Sequence, residues 1–299
     1  MIEDSYITSP CRLQVGCQFF LSQLTWPKVF SRHVVNKLNH QSPFRMCMFS
    51  RPVISVSATN IFARAGEGDL QYLVYSMTIK AKEALAMVLP LPAKNGTDEK
   101  SLNFIDLKRY PDFFADLGKG FPALPAWEGA AHPNPSSATL SAMKLEVVQV
   151  GEFEASFVPT VKDFPRLDER FRLPADTWKK LREYQSYGFA VFKLKPGAAT
   201  IHPMAFSFPR RNPKQLFFPT VHIHDGKVHA KAHFDHALYC QPSEQASLPI
   251  YNWAESYTHP ARFMQVDKAK GLIVPDQHCY RQKMRGLLAN RDTFLSTTA

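Results

Sequence analysis

Between Gly188 and Cys240 four runs of β-forming residues, GFAVFKLK, IHPMAFSFP, QLFFPTVHIH and KVHAKAHFDHALYC, follow one another on short connections. Parallel strands need a crossover of roughly a dozen residues or more, usually a helix, whereas antiparallel strands need a turn. The spacing therefore favours an antiparallel sheet over βαβ units. Two earlier runs, LQYLVYSMTIK (Leu70 to Lys80) and LAMVLPLP (Leu85 to Pro92), flank the short charged connection KAKEA and read as adjacent strands. The expected fold class is α+β, mainly antiparallel β-sheet with a few flanking helices. A second lobe is marked off near residues 121–139, where FPALPAWEGAAHPNPSSAT is dense in Pro, Gly, Ala and Ser and reads as a long loop.

Three helices are expected. YPDFFADLGKG places Pro111 in a first turn and glycines at the end. PADTWKKLREYQSYG repeats Trp178, Leu181 and Tyr184 at helical spacing and ends at Gly188. The tail QHCYRQKMRGLL, Gln277 to Leu288, reads as a last, basic helix. Residues 1–45 follow neither period and read as an extension of a single α+β domain over residues 46–299. An alternative start at Met46 would make the extension a gene-model artefact. No apolar run approaches the roughly 20 residues that span a bilayer. Five cysteines at scattered spacings form no C-x-x-C pair, so neither a disulfide framework nor a zinc ribbon is expected, and the location expected is the reducing cytoplasm.

The net charge of +10 raises nucleic acid as a partner. By region it is +4 over residues 1–52, −3 over 53–159, +7 over 160–241 and +2 over 242–299. The excess is interleaved with acids and carries no nucleic-acid motif, so a protein or small-molecule partner is favoured and no membrane is expected.

The order FARAGEGDLQYLVYSMTIKAKEALAMVLPLP, a G-E-F-E strand, LREYQSYGFAVFKLK, HPMAFSFP and LFFPTVHI resembles the bacterial domain-of-unknown-function family 2330, over roughly residues 62–223. The resemblance implies a fold and supplies no site residues, since that family has no established reaction. Its usual export signal and membrane anchor are not evident here, so its location does not transfer.

Most of the functional argument rests on VHIHDGKVHAKAHFDHALYC, Val221 to Cys240, which holds five of the eleven histidines. Asp225-Gly226 is a two-residue hairpin signal of type I′. It sets His222 opposite His229 and puts His222, His224, Lys227, His229, Lys231 and His233 on one polar, solvated face. Three imidazoles there, His222, His224 and His229, could hold zinc or another transition ion with a position left for water, and Asp225 or Asp235 would be the base of a metal-dependent hydrolase. Lys227 and Lys231 share that face and oppose a dication. His236 has the apolar parity of Phe234, Leu238 and Cys240 and is expected neutral and buried. About 13 Å of extended strand separates it from Cys240, too far for a dyad.

Cys47 is the other nucleophile candidate. If synthesis began at Met46 and that residue were removed, the Cys47 α-amino group would be its base, as in N-terminal-nucleophile hydrolases. Those enzymes use a four-layer αββα architecture, and the helices expected here are few. The leading expectation is a non-catalytic binding or interaction module with a His-rich hairpin. A metal-dependent enzyme comes next, ahead of the Cys47 hydrolase and the nucleic-acid binder.

Overall fold

The computed structural model describes residues 47–122, 148–150, 153–173, 175–223, 229–242 and 252–296, all within the unit Ser42–Ala299. In chain order the strands are β1 (Cys47–Phe49), β2 (Ser55–Ala65), β3 (Leu70–Ala81), β4 (Leu85–Leu91), β5 (Asn103–Asp106), β6 (Val148–Val150), β7 (Phe153–Val158) and β8 (Gly188–Leu194). They continue with β9 (Gly197–Thr200), β10 (Met204–Pro209), β11 (Gln215–Phe218), β12 (His222–Ile223), β13 (Lys231–Gln241), β14 (Ala254–Glu255), β15 (Tyr280–Ala289) and β16 (Thr293–Ser296). Two helices are described, α1 (Phe113–Lys119) and α2 (Ala175–Lys180), with several single-turn 3-10 segments.

One sheet runs β12-β1-β4-β8-β7-β6 and a second runs β14-β15-β13-β2-β3-β10-β5, with β9 also on β3, while β11 and β16 form a separate pair. The α+β expectation holds. Pairing is antiparallel except at β1 with β12 and β2 with β13. Strand alternation accounts for the layers. In β4, Leu85, Met87, Leu89 and Leu91 face the core between the sheets, while Ala86 and Val88 face a second cluster with Phe164, Trp178 and Phe189. In β2, Ile61 and Ala63 face inward, and Phe62 faces a third cluster under α1 and the 260–279 segment. β4 is buried along its whole length, which is why it reads as an unbroken apolar run.

Three expectations are corrected. β3 and β4 are consecutive yet belong to different sheets, because the KAKEA connection crosses from one to the other. The Trp178 helix stops at Lys180 and resumes as a 3-10 turn at Arg182–Tyr184. Leu181, at φ −106 and ψ 58, breaks it, and Trp178, Leu181 and Tyr184 are all buried in one cluster. The tail is a strand: Tyr280–Ala289 pairs antiparallel with Lys231–Cys240, so a long ladder overrides a helical pattern that had no face to bury. Residues 123–139 of the expected inter-lobe loop lie outside the described residues, as does the extension.

Gly188 starts β8 against Phe157, whose ring a Cβ there would approach to 2.6 Å, so β7 and β8 meet this closely because the side chain is absent. Among the described residues no helix is long and apolar enough to cross a membrane.

Candidate functional site

Alternation holds within each strand, but the strands share faces differently from the expectation, which set His222 on the solvated side away from Phe234 and His236. Val221 and Ile223 pack with Met48 in the outer cluster. His222, on the opposite side, is 1% exposed. Its ring lies 4.2 Å from the Phe234 ring and stacks on His236 at 5.2 Å and 21°. Far from being wet, this face closes the space between the two sheets. Burial pushes the His222 imidazole down to about 3. His236, 3% exposed, is held well below the usual range by burial and then by His222, so the expectation of a neutral buried His236 matches the geometry. Two desolvated imidazoles stacked in this way resist protonation, because burial withholds the hydration that the charged form needs and a charge on one ring opposes a charge on the other.

Most of the ladder expected across the hairpin falls on residues outside the described ones, and the described residues on either side pair with other strands. His222 pairs with Cys47 of β1, and β13 lies between β2 and β15. His222 and His229 are joined instead through Asn290. Its Nδ2 donates to both carbonyls at 2.9 Å, and its Oδ1 accepts from the His222 amide at 2.7 Å. The His229 side chain is exposed. His224 and Asp225, with the rest of the turn, lie outside the described residues. Cys47 lies in β1, the second strand of the six-stranded sheet as described, between β12 and β4.

Asp235 has a structural task. β2 shifts register between Ser57 and Asn60, leaving Ala58 at φ 50. The Ala58 amide donates to Asp235 Oδ2 at 3.3 Å, and Asn60 Nδ2 donates to the Ala58 carbonyl at 2.9 Å. A left-handed alanine costs about 1 kcal/mol, and these two bonds hold it. Thr59, next along, is buried and is the register partner of His236. Among the described residues neither the Thr59 hydroxyl nor either His236 nitrogen meets a hydrogen-bond partner.

Two arrangements had no signal in the sequence. Asp292 Oδ1 accepts from the amides of Thr220 and Val221 at 2.8 and 3.0 Å, and its Oδ2 accepts from the Tyr184 hydroxyl at 2.6 Å. Burial raises its carboxyl to about 6, against the opposing pull of Tyr184 and the two amides. Asn290 and Asp292 thus fasten residues 220–222 and the chain at His229 from one side. An Asn-Arg-Asp sequence reads as a turn and does not announce which distant amides it will cap.

The second is a cleft of about 410 Å³ lined by residues including Tyr257, His259, Arg262, Asp276 and His278. His259 and His278 are distant in the chain, yet their rings meet edge to face at 4.4 Å. Glu255, Ser256 and His278 are the residue types of a hydrolase triad, but their wiring differs. His278 Nδ1 donates to the Ser256 carbonyl at 2.8 Å, with Glu255 Oε1 at 3.6 Å. The buried Ser256 hydroxyl donates to the Thr258 carbonyl and accepts from the Cys279 amide. Its proton is committed to backbone, so it is a strut and not a nucleophile.

Among the described residues no group of three or more His, Cys, Asp or Glu side chains is arranged to hold a metal ion. No family model matches the chain, and no curated protein matches it in sequence. Among solved structures the chain is similar to baculovirus P35, at 12% identity and a TM-score of 0.45, over 82% of this chain and 97% of that one. A chain in the crystal structure of the caspase-8/P35 complex aligns at 11% identity and a TM-score of 0.43, over 81% of this chain and 97% of that one.

Proposed function

We propose that the chain is a non-catalytic interaction module that presents the segment between His222 and His229 to a protein partner. The observation that carries this reading is the Asn290 clip, which holds both ends of that segment on a fastened base. Binding segments work in this way when a rigid scaffold fixes their ends. A reducing, cytoplasmic setting suits the buried Cys240 and Cys279, which are free thiols. The test replaces the exposed His229 with a photo-crosslinking amino acid and irradiates the full chain in a lysate of its native cells. A discrete adduct that disappears in an Asn290→Ala background is expected. Adducts no different from those of the same label at the distant Lys100 would overturn the reading.

The same clip favours a second reading, a metal-dependent hydrolase using His222, His224 and His229 with Asp225 or Asp235 as base, because it holds two of the three ligands' backbones together. Against it stand the enclosed His222 ring and the Asp235 carboxylate already bonded at Ala58. Native mass spectrometry of protein prepared without chelator or histidine tag separates the two. One metal per chain, lost in His222→Ala, His229→Ala, would favour the enzyme, and a metal-free mass the interaction module.

A further inference from the structure

We infer that the outer face of β15 binds an extended acidic segment of a partner protein, through the row formed by Arg281, Lys283, Arg285 and Leu287. This deepens the interaction-module reading and rests on it, but the surface is distinct from the His222–His229 segment.

Alternation along β15 puts these four side chains on one face, with successive ones about 7 Å apart. The opposite parity packs inward, with Tyr280 and Met284 against the core between the sheets. Arg281 anchors the row: its guanidinium lies 4.7 Å over the Phe121 ring, and Nη1 donates to the Phe121 carbonyl at 3.3 Å. Lys283 and Arg285 are exposed, and among the described residues neither forms an ion pair. Asp235, cross-strand from Arg285, is engaged with the Ala58 amide instead. The three cations repel one another, and the Arg281 charge is the first cause lowering the Lys283 ammonium from its ordinary value, ahead of burial and Arg285. A partner that supplies carboxylates at alternate positions of an extended chain matches the spacing and relieves the repulsion.

The end of the row decides between partner classes. Leu287 is 57% exposed and follows Arg285 in the same line. An aliphatic side chain of a peptide would cover it, whereas a phosphate backbone would not. The four positions include no aromatic ring on which bases could stack, as single-strand binders require. Lone exposed leucines are ordinary, but one that continues a cation row on the same face adds an apolar position to the recognition pattern.

The test is fluorescence anisotropy of the full chain with a labelled peptide of about ten residues, glutamate alternating with valine and threonine, at moderate salt. We expect saturable binding, weakened about tenfold or more in Lys283→Glu, Arg285→Glu and unchanged in Lys100→Glu. The double variant should instead bind the corresponding lysine peptide. Lys283→Gln, Arg285→Gln repeats the loss without reversed charge, and circular dichroism checks each fold. Absence of binding, or binding insensitive to both double variants, would overturn the proposal. So would single-stranded oligothymidine that binds the row more tightly than the peptide. If the row fails while the crosslinks at position 229 still depend on Asn290, the surface assignment falls and the interaction-module reading stands.

Discussion

At the scale of single residues, the two buried histidines tie stability to pH. In the unfolded chain an imidazole titrates near 6.5, whereas burial holds folded His222 near 3 and His236 well below its usual range. The folded state therefore binds fewer protons, so the stability present above pH 6.5 is lost as pH falls toward 3. For His222 the loss is on the order of 3 kcal/mol by pH 4. His236→Phe, which keeps a ring on the stack, should narrow the gap between urea midpoints at pH 7 and pH 5. Asp292 runs the other way: its carboxyl is raised to about 6, so its contribution is present below about 3.8 and is lost as pH rises through 6. Asp292→Asn keeps an acceptor for the Thr220 and Val221 amides and should cost under about 1 kcal/mol at pH 7. Asp292→Ala leaves both amides without one and should cost about 2–3 kcal/mol, read from denaturant midpoints.

At the scale of elements, the strands were legible and their partners were not. Leu70–Ala81 and Leu85–Leu91 stand out by composition, yet nothing in KAKEA says that it crosses between sheets. The Asp225-Gly226 signal implied a hairpin ladder but not that the described residues before and after it pair with Cys47 and with Arg64- and Tyr280-bearing strands distant in sequence. Parity survives such errors because it is a property of the strand itself: His222 opposite Val221 and Ile223, and His236 with Leu238, follow from alternation alone. Whether a face meets water or a second sheet depends on tertiary packing, which is why His222 was expected to be wet. Among the connections, Asn290 is the most exposed to test. Asn290→Ala removes one acceptor and two donors and should destabilise by about 1–3 kcal/mol. Asn290→Asp, which can accept from the His222 amide but cannot donate to the two carbonyls, should not restore the loss. Hydrogen exchange at His222 and Ile223 would rise in both.

At the scale of the whole molecule, the two sheets bury a common core between them, and each also carries a cluster on its outer face. The histidine segment enters this plan as part of the closure between sheets, since His222 comes from the six-stranded sheet and His236 from the eight-stranded one. The sequence revealed the α+β class and the buried state of His236. It did not reveal the cap at Asp292, the clip at Asn290, or the meeting of His259 with His278, because each joins positions whose proximity only the fold creates. The most direct measurement is long-range proton–nitrogen NMR of the His222 and His236 rings from pH 7.5 to 5, with and without added zinc. Both rings should remain neutral across that range and unmoved by the metal. A ring that titrates near 6.5, or that shifts with stoichiometric zinc, would contradict the account and return the segment to metal chemistry.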